Sequence, residues 1–203
     1  GRAEVAKRVE HLDAGPVHLF GNSMGGGVGI NFAINHPDRI GKLVTIGGIG
    51  TNIFSPGPSE GIRLLQEFTD APDRDKLIRW LNSMVYDRAI VTEQLIEERW
   101  EAAINPDAQK TAAMMYGSKA FEMQQQFLAA ADIAPYWAMM HKVACPTLLT
   151  WGRDDRVSPP DMSMVPMRLI PDAELHIFPK CGHWVMIEAK EAFESTVAAF
   201  LAR

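Results

Sequence analysis

One serine of this chain lies between two glycines, directly after a short apolar run. The run covers residues 17–20 and continues into Gly21-Asn22-Ser23-Met24-Gly25. This pattern is typical of a sharp turn from a strand into a helix, where glycine at both flanking positions avoids collisions with the neighbouring elements. The turn presents the Ser23 hydroxyl above the sheet edge, and the Met24 N–H faces a developing negative charge. The pattern predicts a nucleophile with part of an oxyanion hole, although a glycine-rich loop that only packs a helix would look the same.

The order of the later residues favours the nucleophile. A serine on such a turn is followed along the chain by an acid after one later strand and a histidine after the last strand. Residues 146–151 form an apolar strand that leads to Asp154 and Asp155, and residues 174–178 alternate like a strand and lead to His183. The carboxyl ends of parallel strands meet at one edge, so these groups can converge. We prefer Asp155 to Asp154 because the third position after the strand-ending glycine points back to the cleft.

Composition narrows the class of protein. With 203 residues, 47% of them hydrophobic, the chain can bury one core, and its net charge of −5 provides no basic surface for nucleic acid. No apolar stretch approaches a membrane span, and no signal-peptide pattern is present. Cys145 and Cys181 fit neither a disulfide framework nor a metal site, and the glycine spacing fits neither a dinucleotide nor a phosphate loop. We expect a cytoplasmic protein with buried thiols and without a metal or cofactor.

The sheet predicted from these segments is small. Four strands are expected in a mostly parallel α/β sheet, at residues 17–20, 42–46, 146–151 and 174–178. A nucleophile strand normally lies in the middle of its sheet, with earlier strands beside it, but only an amphipathic helix at residues 2–10 precedes it here. We therefore expect a C-terminal part of a longer protein, with the second oxyanion donor outside this chain. The exposed apolar edge favours a homo-oligomer.

The middle of the chain has a different character. Residues 51–136 contain no convincing strand and are predicted to form a helical cap inserted into a core made of residues 1–50 and 137–203. Helices are expected at residues 59–69, 73–85, 92–104 and 107–127, with helix starts marked by Ser59, Asp73 and Thr92 and with Pro106 in a first turn. Such a cap would close over the serine, exclude water and shape a substrate pocket.

Several short segments, taken together, are similar to those of one family. They are Gly21-Asn22-Ser23-Met24-Gly25-Gly26, Pro37-Asp38-Arg39-Ile40, Phe54-Ser55-Pro56 with Glu60-Gly61-Ile62, Arg99-Trp100, Trp151-Gly152-Arg153-Asp154-Asp155-Arg156 and Cys181-Gly182-His183-Trp184. This set resembles the meta-cleavage product hydrolases, which are α/β-hydrolases of bacterial aromatic and steroid degradation. The resemblance implies hydrolysis of a carbon-carbon bond in a 2-hydroxy-6-oxo-hexa-2,4-dienoate. The enol first becomes a ketone, and the serine then adds to the distal ketone.

The resemblance also implies roles for four further residues. Arg99 would grip the substrate carboxylate, Asn22 would hydrogen-bond the 2-hydroxy or 2-oxo end, Trp184 would wall the dienoate pocket, and Val157 would lie where the distal substituent is accepted. Their structural alternatives are a surface ion pair for Arg99, a turn-forming amide for Asn22 and a packed indole for Trp184.

Two other functions fit the same residues. A serine carboxylesterase would use the same Ser23, His183 and Asp155 on an ester, and a ligand receptor of this fold would bind a small molecule without turnover. The arginine, asparagine and tryptophan favour an enzyme for an acidic substrate. The distal substituent stays open between phenyl, alkyl and steroid fragments.

Overall fold

One parallel sheet organises the molecule. The computed structural model describes residues 2–11, 15–131 and 136–203. In this part of the chain the strands are β1 (Val17–Asn22), β2 (Ile40–Ile46), β3 (Thr147–Gly152) and β4 (Ala173–Phe178). They lie in the order β1-β2-β3-β4, and each neighbouring pair is parallel. All four carboxyl ends therefore meet at one edge, and the predicted strands are confirmed to within two residues.

Helices cover both faces of the sheet, as a parallel sheet requires. The helices outside the middle of the chain are α1 (Arg2–His11), α2 (Met24–Asn35), α8 (Met164–Leu169), α9 (Val185–Glu188) and α10 (Lys190–Leu201). Successive strand residues point to opposite faces. Leu43 and Leu149 join one buried cluster with residues of α1 and α2, whereas Val44 and Leu148 join a second cluster with residues of α9 and α10. The core is thus split into two layers by the sheet.

The long connection from β2 to β3 is helical. It contains α3 (Glu60–Asp70), α4 (Arg74–Met84), α5 (Glu93–Ala103), α6 (Pro106–Tyr116) and α7 (Ser118–Ala130), with no strand among its described residues. Two of the expected helix starts are capped by side chains: Asp73 accepts a hydrogen bond from Lys76 N, and Thr92 accepts one from Leu95 N. These helices bury an apolar cluster of their own, formed by Phe68, Leu77, Leu81 and Ile96.

The single helix predicted at residues 107–127 is wrong, because the chain breaks at Gly117 into α6 and α7. A β-carbon at Gly117 would lie 2.7 Å from the carbonyl oxygen of Ala113. The Asp70 carboxylate also accepts a hydrogen bond from Ser118 N at 3.0 Å. An aspartate on α3 therefore starts a new helix where the apolar periodicity alone predicts continuation.

A buried carboxylate anchors the beginning of the β2 to β3 connection. Asp161 is 4% exposed and accepts hydrogen bonds from the backbone N–H groups of Ile53 at 2.8 Å, Phe54 at 3.1 Å and Ser55 at 3.2 Å, and from the Ser55 hydroxyl. Burial alone would raise the pKa of this carboxyl. The hydrogen bonds outweigh burial and lower the pKa to about 2.

This anchor should make stability depend on acid. The folded pKa of Asp161 lies below the unfolded value of about 3.9, so its contribution is complete above about pH 5 and is lost progressively as the pH falls toward 2. We expect Asp161→Asn to lower the free energy of unfolding by up to about 2 kcal/mol near pH 6, and by much less near pH 2.5. Urea unfolding at both pH values measures this, with Asp38→Asn, an exposed carboxylate, as the control. A deficit that is equal at the two pH values would contradict the linkage.

Candidate active site

The predicted nucleophile lies on a strained turn at the carboxyl end of β1. Ser23 is the N-cap of α2 and has φ of 52°, in the left-handed region that non-glycine residues rarely occupy. Its N–H donates to the carbonyl oxygen of Ile46 at the end of β2, at 2.8 Å. A β-carbon at Gly21 would lie 2.4 Å from the carbonyl oxygen of Gly25, so the turn requires glycine at the first flanking position.

The second flanking glycine does not have the predicted steric role. Apart from its chain neighbours and the backbone of α2, no described atom lies within 4 Å of where a Gly25 β-carbon would be. The close approach occurs instead at Gly48, which has φ of 72° and whose β-carbon would lie 2.3 Å from Ser23 Cα. Gly48 was not predicted from the sequence, although the available signal was a pair of glycines, Gly47 and Gly48, directly after a predicted strand.

The predicted base and acid form a buried pair. His183 Nδ1 lies 2.7 Å from Asp155 Oδ2, and 1% of each side chain is exposed. The other carboxylate oxygen accepts hydrogen bonds from the N–H groups of Val157 and Ser158, both at 2.8 Å. The Asp154 carboxylate pairs with Arg153 instead: its Oδ2 atom lies 3.3 Å from Arg153 Nη2. Because Asp155 occupies Nδ1, the Nε2 atom of His183 is left to exchange a proton with a reacting group.

A cavity of about 1050 Å³ lies between the carboxyl edge of the sheet and the helices that follow β2. Five of the predicted site residues line it: Asn22, Ser23, Met24, Val157 and His183. Met24 is the first residue of α2, so its N–H is one of the donors that have no partner within the helix. Asp155 does not line the cavity, and its hydrogen bond to His183 is what connects it to the site.

Arg99 and Trp184 are not brought to the cavity wall. Arg99 is exposed on α5, because Ile96 and Trp100 of that helix pack into the apolar cluster of α3 and α4 and fix its rotation. Trp184 is half-buried and packs against the cluster of Met84, Val85 and Val157. Trp184 is therefore not in the cavity wall, but it packs against Met84 and Val157, which are.

Cys145 and Cys181 are free and buried, as expected from the sequence. Burial raises the pKa of the Cys181 thiol to about 12, helped by the nearby carboxylates of Glu188 and Asp155, and burial also raises the pKa of Cys145. Both thiols therefore stay protonated near neutral pH.

The described residues contain no group of three or more histidine, cysteine, aspartate or glutamate side chains that could hold a metal ion. They also form no helix long and apolar enough to cross a membrane.

Sequence comparison identifies relatives of this chain. A family model described as the alpha/beta hydrolase fold matches residues 2–190. A 2-hydroxy-6-oxo-6-phenylhexa-2,4-dienoate hydrolase from Burkholderia cepacia is 36% identical over 96% of this chain and 65% of its own length. A 2-hydroxy-6-oxononadienedioate/2-hydroxy-6-oxononatrienedioate hydrolase from Comamonas testosteroni is 38% identical over 91% of this chain and 62% of its own length. The chain therefore spans less than two thirds of the length of these two relatives.

Structural comparison agrees with the sequence matches. A meta-cleavage product hydrolase from Pseudomonas fluorescens, solved in complex with acetates, superposes with a TM-score of 0.82 at 29% identity. The match covers 98% of this chain and 69% of that one. The expected α/β-hydrolase fold and the resemblance are confirmed. The chain belongs to the α/β-hydrolase family and, within it, to the meta-cleavage product hydrolases.

Proposed function

We propose that this protein hydrolyses the carbon-carbon bond of a 2-hydroxy-6-oxo-hexa-2,4-dienoate, the product of extradiol ring opening, in aromatic catabolism. The observation that carries the proposal is the shared cavity of Ser23 and His183, with the Asp155 carboxylate buried behind the imidazole. The activities for which the two matched relatives are named supply the substrate class.

The first step is conversion of the enol to its keto form. His183 assists this step by moving a proton between the 2-hydroxy group and the carbon that will leave. Asn22 lies on the cavity wall beside the nucleophile, where its amide can hydrogen-bond the 2-hydroxy or 2-oxo group. The keto form places an electron-withdrawing carbonyl where it can accept the electrons of the bond to be broken.

Nucleophilic attack follows. His183 Nε2 takes the proton of Ser23, and the serine oxygen adds to the distal ketone, whose oxyanion accepts a hydrogen bond from Met24 N–H. The carbon-carbon bond then breaks, and its electrons form a dienolate. The dienolate takes up the proton that His183 removed from Ser23. Water activated by His183 hydrolyses the acyl-serine and releases a carboxylic acid. Overall, one water supplies hydroxyl to the acyl carbon and hydrogen to the dienoate.

Residues 51–136 act in this proposal as a cap over the core formed by residues 1–50 and 137–203. Ile62 and Leu65 of α3, together with Tyr116 and Phe121 of α6 and α7, line the same cavity as Ser23. The Tyr116 hydroxyl lies 3.7 Å from Met24 Sδ, so the cap reaches the nucleophile turn directly. Exclusion of water by these side chains strengthens the electrostatic interactions inside the cavity.

A serine carboxylesterase is the second candidate, and the charges around the cavity favour it. No lysine or arginine lines the cavity among the residues that the structure describes, and Arg99 is exposed to solvent. An acidic dienoate gains from a fixed cation, whereas an uncharged ester needs none. The same Ser23, His183 and Asp155 would serve either substrate.

Direct comparison of the two substrates tests the proposal. With 2-hydroxy-6-oxo-6-phenylhexa-2,4-dienoate, we expect loss of the coloured dienolate and formation of benzoate and 2-hydroxypenta-2,4-dienoate in equal amounts. The value of kcat/KM should exceed that for p-nitrophenyl butyrate by on the order of 100-fold. Rapid cleavage of the ester with an unchanged dienoate spectrum would instead identify an esterase.

A further inference from the structure

Glu188, at the end of α9, links the loop that carries His183 (residues 179–184, the histidine loop) to the helical connection between β2 and β3. Its Oε1 atom accepts a hydrogen bond from Gly182 N at 2.8 Å, directly before the base. Its Oε2 atom accepts hydrogen bonds from Tyr86 N at 2.6 Å and Asp87 N at 3.2 Å. We call residues 82–87, the last residues of α4 and the three residues that follow it, the strap. One half-buried carboxylate therefore bridges the strap and the histidine loop.

The strap also touches the base directly. His183 N donates to the carbonyl oxygen of Met84 at 2.7 Å. A β-carbon at Gly182 would lie 2.7 Å from the same oxygen and 2.8 Å from Val85 Cα, so no side chain fits between the two segments. The backbone of the histidine loop therefore rests on the strap, and a shift of the strap would move the base.

The loop after β3, residues 153–159, carries Asp155 and is called the acid loop; it holds the strap from the other side. Arg156, next to Asp155, donates through Nη2 to the carbonyl oxygens of Asn82 and Val85, the latter at 3.1 Å. Its other terminal nitrogen lies 3.3 Å from a carboxylate oxygen of Glu60. A cation thus binds the strap carbonyl groups and an anion binds the strap N–H groups, which is the polarity that charge-assisted hydrogen bonds require.

Only a carboxylate of this length satisfies all three N–H groups. An ionised glutamate presents two accepting oxygens, whereas a glutamine has one acceptor and one NH₂ donor, which would face an N–H group. Aspartate keeps the charge but is one methylene shorter. Reaction rates fall steeply when a catalytic group is misplaced by about 1 Å. Loss of the hydrogen bonds that hold the histidine loop should therefore lower kcat.

We propose that Glu188 is a positioning residue: by fastening the His183 loop to the strap, it holds the imidazole in place for proton exchange with Ser23. This inference rests on the proposed function for the role of His183 as base. It concerns the geometry of the base and is independent of which substrate the cavity accepts.

Two variants and one matched control test the inference. Glu188→Gln should lower kcat by about 10- to 100-fold with KM changed by less than about threefold, and Glu188→Asp should lie between it and the native protein. Glu191→Gln, an exposed carboxylate on the neighbouring helix, should match the native protein. Acylation of Ser23 by p-nitrophenyl acetate provides the rate, so a failure to cleave dienoates would overturn the proposed function alone.

A spectroscopic measurement separates positioning from stability. The proton between His183 Nδ1 and Asp155 should give a sharp downfield NMR signal in the native protein and in Glu191→Gln. In folded Glu188→Gln the signal should broaden or shift, because the imidazole is less firmly held. A variant with lower thermal stability but a native signal and a native acylation rate would show that Glu188 is only structural, and would overturn the inference.

Discussion

Replacement of Ser23 with alanine should lower kcat for carbon-carbon cleavage by roughly 10⁴-fold or more, since loss of the nucleophile removes the covalent route. Alanine fits the same space and, like serine, tolerates φ of 52° poorly, so the strain of the turn is unchanged. The fold and substrate affinity should therefore be preserved. Formation of the carboxylic acid product, followed by chromatography, measures the loss, and circular dichroism checks the fold.

A second serine on the cavity wall provides the control for this experiment. Ser118 also lines the cavity, at the start of α7, and is not placed to act as a nucleophile on the strand-to-helix turn. Ser118→Ala should keep kcat within about threefold of the native value. Near-native product formation by Ser23→Ala would exclude the nucleophilic role.

Asp155→Asn should lower kcat by on the order of 10⁴-fold without unfolding the protein. The asparagine oxygen can still accept the hydrogen bonds of Val157 N and Ser158 N, which hold the acid loop. Its NH₂ group would then face His183 Nδ1 and force the imidazole into the tautomer with its proton on Nε2. In that tautomer Nε2 cannot accept the proton of Ser23.

The neighbouring aspartate offers a matched control for the acid. Asp154 pairs with Arg153 near the surface, so Asp154→Asn should retain kcat within about threefold. Steady-state kinetics of both variants, together with thermal unfolding, separate catalysis from stability. The assignment fails if Asp154→Asn loses turnover and Asp155→Asn does not.

The sequence was sufficient where the signal is local or follows from strand order. Ser23 has a short motif, Asp155 follows an apolar run and His183 follows an alternating one, and the parallel topology brings their loops to one edge. The placement of Arg99 required tertiary information. Its exposure depends on how α5 is rotated by the packing of Ile96, and a helical period alone does not specify which neighbour a helix meets.

The role of Glu188 could not be predicted for a different reason. Its partners in the strap are backbone N–H groups 102 and 101 residues away in the chain, and backbone groups leave no mark in the sequence. The break at Gly117 was missed because one glycine is tolerated within many helices, and the partner that makes it decisive, Asp70, lies on another helix.

The strap also determines where the chain can change in length. Since its polar backbone groups are bound to both the acid loop and the histidine loop, an inserted residue between 82 and 87 would displace the two loops at once. Beyond it, α6 has no buried residue, so insertions near its exposed start, away from Tyr116, displace no buried side chain. Variation in length among homologous chains should therefore accumulate around α6, where it can resize the cavity while the spacing of base and acid stays constant.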